Sequence, residues 1–153
     1  MSTLAAIRPD DWNVALFVHV LGAMVMVGAL VTAASYLFVA RRGGSVEAAR
    51  VGFRSLLYAA LPSFLVMRVG AQWIADEEGL ADSDAAWIGI GYIISDMGAL
   101  LVIVATVAAG LAVRRAGRAD TPGGTSASVA AWVVAVLIVA YLIAISAMTT
   151  KPA

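Results

Sequence analysis

Three ionisable side chains stand inside long apolar stretches of the sequence, namely His19, Arg68 and Asp96. An ionisable group in the hydrocarbon of a membrane is costly, so it usually faces the interior of a helix bundle and pairs with another group. An imidazole can carry a proton or ligate a metal, a guanidinium binds anions, and a carboxylate accepts hydrogen bonds from both. These residue types therefore indicate a ligand-binding site.

Two further polar residues share helical faces with the ionisable ones. Gln72 follows Arg68 by four residues and Tyr92 precedes Asp96 by four, so each pair lies on one side of a helix. Counted from the predicted outer ends of their spans, the three ionisable residues lie roughly 8–13 Å deep. We predict a partly hydrated pocket that opens to the outside and is lined by His19, Arg68, Gln72, Tyr92 and Asp96.

Two other interpretations fit the same three residues. Arg68 and Asp96 can form an ion pair that only locks two helices together, with His19 donating to a carbonyl or a carboxylate. Alternatively, the long side chain of Arg68 can extend to the outer headgroups, because its charge is near that interface. Neither of these arrangements requires a ligand.

The composition places these residues in a membrane. Of 153 residues, 62% are hydrophobic and 13% are charged, whereas a soluble domain is about half apolar and a quarter charged. About 20 apolar residues cross a bilayer as a helix, and four stretches qualify, at about 12–40, 53–75, 86–113 and 128–148. We expect an all-α polytopic membrane protein whose single domain, 1–153, is an antiparallel bundle of four transmembrane helices.

The distribution of arginine orients this bundle. Seven arginines fall in the first and third connectors, and short loops rich in Lys and Arg remain in the cytoplasm. Both termini are therefore expected to be extracytoplasmic, with Trp12, Trp73 and Trp87 at the outer headgroup level. The seven arginines are Arg41, Arg42, Arg50, Arg54, Arg114, Arg115 and Arg118.

Several classes of chemistry are excluded or disfavoured. The chain has no cysteine, which excludes disulfides, thiolate zinc sites, iron–sulfur clusters and cysteine nucleophiles. Its formal net charge of zero gives no reason to expect nucleic acid as a partner. No catalytic motif is visible, so we expect no catalytic residues, no metal site and no enzyme. A b-type haem or copper bound through His19, with Met26 or Met97 as a second ligand, is a minor alternative.

Three functions remain open from the residues alone. The first is binding, sensing or transport of a small anion, proton or polar solute. The second is a role as an accessory or structural subunit of a larger membrane complex, and the third is a haem- or metal-binding redox protein. Beyond the lipid bilayer, the expected partner is a second copy of the chain or another membrane subunit, because four helices are few for alternating access.

The segment from Phe17 to Gly28, FVHVLGAMVMVG, resembles the first helix of small bacterial membrane proteins of the DUF2269 type. It is also similar to the first helix of the copper-resistance D membrane family. MRVGAQW from Met67 and WIGIGY from Trp87 look like segments of actinobacterial four-helix membrane proteins of uncharacterised type. The resemblance implies a multi-pass protein of the bacterial inner (plasma) membrane.

Overall fold

The computed structural model describes residues 10–77, 79, 86–119 and 124–149, and all regular structure in these ranges is helical. Five α-helices and one π-helical segment follow one another along the chain. They are α1 (Asp10–Arg41), α2 (Val46–Ser55), the π-helical segment (Leu56–Ala60), α3 (Leu61–Glu77), α4 (Ala86–Ala119) and α5 (Thr125–Thr149). The predicted all-α class is confirmed over the described residues.

Three of the helices are long and apolar enough to cross a membrane. Their apolar stretches are Val14–Arg41, Ile88–Arg118 and Thr125–Thr149, of 28, 31 and 25 residues. At a rise of 1.5 Å per residue they are about 38 to 47 Å long, which exceeds the hydrocarbon thickness of about 30 Å. The three helices begin and end within a few residues of the predicted spans, with one exception. α4 continues to Ala119, six residues beyond the predicted end at 113.

The predicted second span, 53–75, is divided. α2 has 10 residues and α3 has 17, with the π-helical segment between them. In this segment the Leu61 amide donates to the Leu56 carbonyl, five residues back, and the next residue, Pro62, has no amide hydrogen to donate. The Ser63 hydroxyl donates to the carbonyls of Ala59 and Ala60. The π-helical turn therefore lies directly before Pro62, and the Ser63 hydroxyl satisfies two carbonyls of this turn.

The chain remains helical through this segment. Ser55 and Leu61, which flank it, both have right-handed helical backbone angles. α2, the π-helical segment and α3 thus form one continuous helical run from Val46 to Glu77. The Ser55 hydroxyl also donates to the Ala29 carbonyl over 2.8 Å, which joins this run to α1.

The core lies where α1, α5 and the divided helix meet, and α4 packs mainly on α5 and α2. Its largest fully buried side chains are branched aliphatic groups and one methionine: Met26, Leu30, Leu37, Leu56, Val102, Val134 and Leu137. α3 and α4 have few direct contacts with each other. Arg68 of α3 and Asp96 of α4 face each other across the space between these two helices.

α1 and α5 are apolar on their exposed sides as well as on their buried sides. Val31 and Val136 are among many exposed hydrophobic residues. Helices that are apolar all round are typical of membrane spans. Trp73 lies exposed near the end of α3. The side chains of Trp12 and Trp87, predicted at the same level, lie outside the described residues.

Candidate functional site

Arg68 and Asp96 form an ion pair across the space between α3 and α4. The Arg68 Nη2 atom lies 2.9 Å from the Asp96 Oδ1 atom, and the guanidinium carbon lies 5.2 Å from the centre of the Tyr92 ring. The Arg68 side chain is 31% exposed and that of Asp96 is 67% exposed. The pair therefore bridges two loosely packed helices at the surface of the protein, with Asp96 on the outer side.

His19 makes its hydrogen bond elsewhere. Its Nδ1 atom lies 2.9 Å from the backbone carbonyl oxygen of Met67. Because a carbonyl oxygen can only accept, Nδ1 carries the hydrogen, and in the neutral ring Nε2 keeps a lone pair. His19 makes no hydrogen bond or ion pair with Arg68 or Asp96, so the three predicted residues do not form one network.

Two glycines allow the close approach of α1 and α3 beside His19. A Cβ atom at Gly22 would lie 2.6 Å from the Met67 nitrogen, and one at Gly70 would lie 2.7 Å from the His19 nitrogen. These distances are shorter than van der Waals contact, so only a residue without a side chain fits at either position. The near contact of the two backbones places the imidazole within reach of the Met67 carbonyl, as expected for helices that pack on small residues.

A cavity of about 710 Å³ lies between α1, α3, α4 and α5, near the N-terminal part of α1. We call it the interhelical cavity. Most of the side chains around it are aliphatic or methionine, among them Val27, Ile74, Ile94 and Met148. Its polar lining residues are His19, Arg68, Tyr92, Ser95, Tyr141 and Thr149.

Arg68 is the single Lys, Arg, Asp or Glu residue that lines this cavity within the described part of the chain. No described carboxylate faces the cavity. An arginine has five N–H donors, and the ion pair with Asp96 uses one nitrogen. The cavity thus combines an apolar wall with a guanidinium that retains free donors, which suits a molecule with an apolar body and an anionic group.

Two of the five predicted site residues do not line the cavity. The Gln72 amide donates to the Asp76 carboxylate one turn further along α3, over 2.9 Å. Asp96 contributes through its ion pair with Arg68. His19, Arg68 and Tyr92 line the cavity.

Tyr141 is a site residue that the sequence did not indicate. Its side chain is buried, it lines the cavity, and its hydroxyl has no hydrogen-bond partner among the described residues. The hydroxyl contacts Gly98 of α4 so closely that a Cβ atom there would collide with it. α5 is apolar and has few polar residues. Its sequence therefore has no periodic pattern that could assign Tyr141 to a cavity.

The methionines considered as second ligands differ in position. Met26 is fully buried and lines the cavity, whereas Met97 is 54% exposed and lies outside it. Met148, at the C-terminal end of α5, also lines the cavity. The described residues contain no cluster of three or more His, Asp or Glu side chains that could hold a metal ion.

Comparison of the chain with protein-family models, with curated proteins and with solved structures finds no match.

Proposed function

We propose that this protein is a non-enzymatic integral membrane protein that binds an amphipathic molecule carrying an anionic group. The binding site is the interhelical cavity, with Arg68 holding the anionic group. One observation carries the proposal: in the described residues, the guanidinium of Arg68 is the only fixed charge in an otherwise mainly apolar cavity. Pockets for small molecules are commonly apolar with a few polar groups that orient the ligand.

The proposal includes four spans and extracytoplasmic termini in the bacterial plasma membrane. Its support is the continuous helical run from Val46 to Glu77, which is long enough for a fourth crossing although it contains the π-helical segment. π-helical turns and proline are tolerated in membrane helices when side chains satisfy the carbonyls they free, as the Ser63 hydroxyl does. With this topology the interhelical cavity lies in the outer leaflet.

The ligand reaches the cavity from the side, between α3 and α4. These helices have few contacts, and the Arg68–Asp96 pair spans the space between them. A ligand anion competes with the Asp96 carboxylate for the guanidinium, while its apolar part displaces lipid or water from the cavity. Binding at this depth is the first step that either sensing or transfer of such a molecule needs.

Binding of cis-parinaric acid, a fluorescent fatty acid, to the purified protein in detergent micelles tests the proposal. We expect Arg68→Gln to weaken binding about tenfold, the effect of losing one charged contact of about 1.4 kcal/mol. Arg118→Gln is the matched control. Arg118 is exposed near the C-terminal end of α4, whereas the cavity residues of α4 lie near its N-terminal end. Equal affinities for the native chain and for Arg68→Gln, with helical content unchanged, would refute the proposed site.

A second function, as an accessory subunit, is favoured by the exposure of Asp96. Its carboxylate is 67% exposed on a helix that is long and apolar enough to span a membrane, and a carboxylate facing lipid is costly. A donor group from a second copy or from another membrane subunit would relieve this cost. Co-purification of a stoichiometric partner that is lost in Asp96→Ala would support this function, and an unchanged oligomeric state would count against it.

A further inference from the structure

We propose that the ligand of the interhelical cavity is an iron porphyrin, bound as a b-type haem with its iron on the Nε2 atom of His19. This inference rests on the proposed function, since it assigns a chemical class to the amphipathic anion. A porphyrin ring is apolar and carries carboxylate groups at one edge. It therefore matches a cavity with apolar walls and a guanidinium.

The hydrogen bond of His19 uses Nδ1 and leaves Nε2, the nitrogen proposed to bind the iron, without a partner among the described residues. Nδ1 donates to the Met67 carbonyl over 2.9 Å, so the neutral ring presents the Nε2 lone pair, and Nε2 makes no hydrogen bond with the described residues. Metal-bound histidines commonly donate their other ring N–H to a backbone carbonyl, which fixes the ring orientation and raises the basicity of the ligating nitrogen. His19 has this arrangement without a metal.

The orientation of the ring is built into the backbone. Gly22 and Gly70 bring α1 and α3 so close that the Met67 carbonyl is held at the imidazole. The carbonyl holds the ring through Nδ1, and Nε2 of this cavity-lining residue has no hydrogen-bond partner among the described residues. The ring is therefore held in place before any ligand binds.

The rest of the cavity suits the remainder of the molecule. A volume of about 710 Å³ lies within the range of roughly 300–1,000 Å³ for small-molecule and cofactor sites. Arg68 can bind a propionate through the donors that Asp96 does not use. The Tyr141 hydroxyl, buried without a described partner, is a further hydrogen-bonding group beside the cavity.

The thioethers of Met26 and Met148 line the same cavity, and a methionine is a common second axial ligand of haem iron. Met97, outside the cavity, cannot serve in this way without a large movement. It is therefore a suitable control position. Whether the iron has one protein ligand or two, His19 is the ligand that the inference requires.

The test is a titration of the purified full chain with haemin, followed by absorption spectroscopy in the ferric and ferrous states. We expect saturable binding with a shifted Soret band, and the same spectrum for Met97→Ala. His19→Gly is expected to lose this spectrum, and added imidazole to restore it, because imidazole can occupy the space of the missing side chain. Arg68→Gln should keep the spectrum but bind haemin about tenfold more weakly.

A spectrum of His19→Gly identical to that of the native chain would overturn the inference, since the iron would then have another ligand or none. Binding of cis-parinaric acid by His19→Gly verifies that the variant still has its cavity. Parinaric acid binding without a haem spectrum that depends on His19 would reject the porphyrin and keep the proposed function. Failure of both molecules to bind would reject both.

Discussion

The contact between α1 and α3 gives the sharpest structural prediction, for Gly22→Ala. The added Cβ atom would lie 2.6 Å from the nitrogen and 2.9 Å from the Cα atom of Met67. Both are backbone atoms of α3, so the collision cannot be relieved by a rotamer change and must separate the helices. Gly28→Ala, on the same helix, is the matched control because nothing lies within 4 Å of its added Cβ atom.

The magnitude follows from two opposing effects. Overpacking costs about 1–3 kcal/mol, and a collision with backbone belongs at the upper end of this range. Alanine is favoured over glycine inside a helix by about 1 kcal/mol. We therefore expect Gly22→Ala to lower the free energy of unfolding by about 2 kcal/mol, and Gly28→Ala to leave it unchanged or raise it by up to about 1 kcal/mol.

The stability assay is unfolding by sodium dodecyl sulfate in mixed micelles, monitored by circular dichroism. The chain has one histidine, so nitrogen NMR of labelled histidine reports on His19 without assignment. We expect the Nδ1–H tautomer in the native chain and in Gly28→Ala, and a loss of this preference in Gly22→Ala. A Gly22→Ala protein with native stability and a native histidine spectrum would refute the close contact and the role assigned to it.

Three further predictions concern other parts of the structure. Tyr141→Phe should raise the free energy of unfolding by about 1 kcal/mol in the same assay and make Gly98→Ala better tolerated, because it removes a buried hydroxyl without a described partner. A loss of stability would show that the hydroxyl is satisfied. Asp96→Asn should tighten cis-parinaric acid binding by up to about fivefold, because an exposed ion pair contributes up to about 1 kcal/mol and the Asp96 carboxylate would no longer compete with the ligand for Arg68. Weaker binding would show that Asp96 orients the guanidinium instead. In the cysteine-free chain, a membrane-impermeant thiol reagent applied to intact cells should label Glu77→Cys but not Gly117→Cys, and the reverse pattern would invert the topology.

Some of this architecture is predictable from sequence for a simple physical reason. Three spans are long uninterrupted apolar runs, and length and hydropathy alone decide that they are helices able to cross a bilayer. The Arg68–Asp96 pair was one of the predicted arrangements, because an arginine and an aspartate in separate apolar spans have few other groups with which to pair. The donation from His19 to a carbonyl was another.

Other features depend on information that no local pattern contains. Gln72 shares a helical face with Arg68, but its amide bonds to Asp76 on the same helix, a contact that needs no second element. The position of Tyr141 depends on the rotation of α5 about its axis, and a helix that is apolar on every side does not specify this rotation. The π-helical segment depends on how Ser63 satisfies the carbonyls near Pro62, which the proline alone does not predict.

Occupation of the interhelical cavity by an amphipathic anion is the central claim, and photocross-linking tests it most directly. A fatty acid with a diazirine on its chain is bound, irradiated and located by peptide mass spectrometry. We expect labels on cavity residues of α3 and α5, such as Ala71 and Met148, and their loss in Arg68→Gln. Labels confined to outward-facing residues such as Ile103 and Val136, unchanged in Arg68→Gln, would contradict the account.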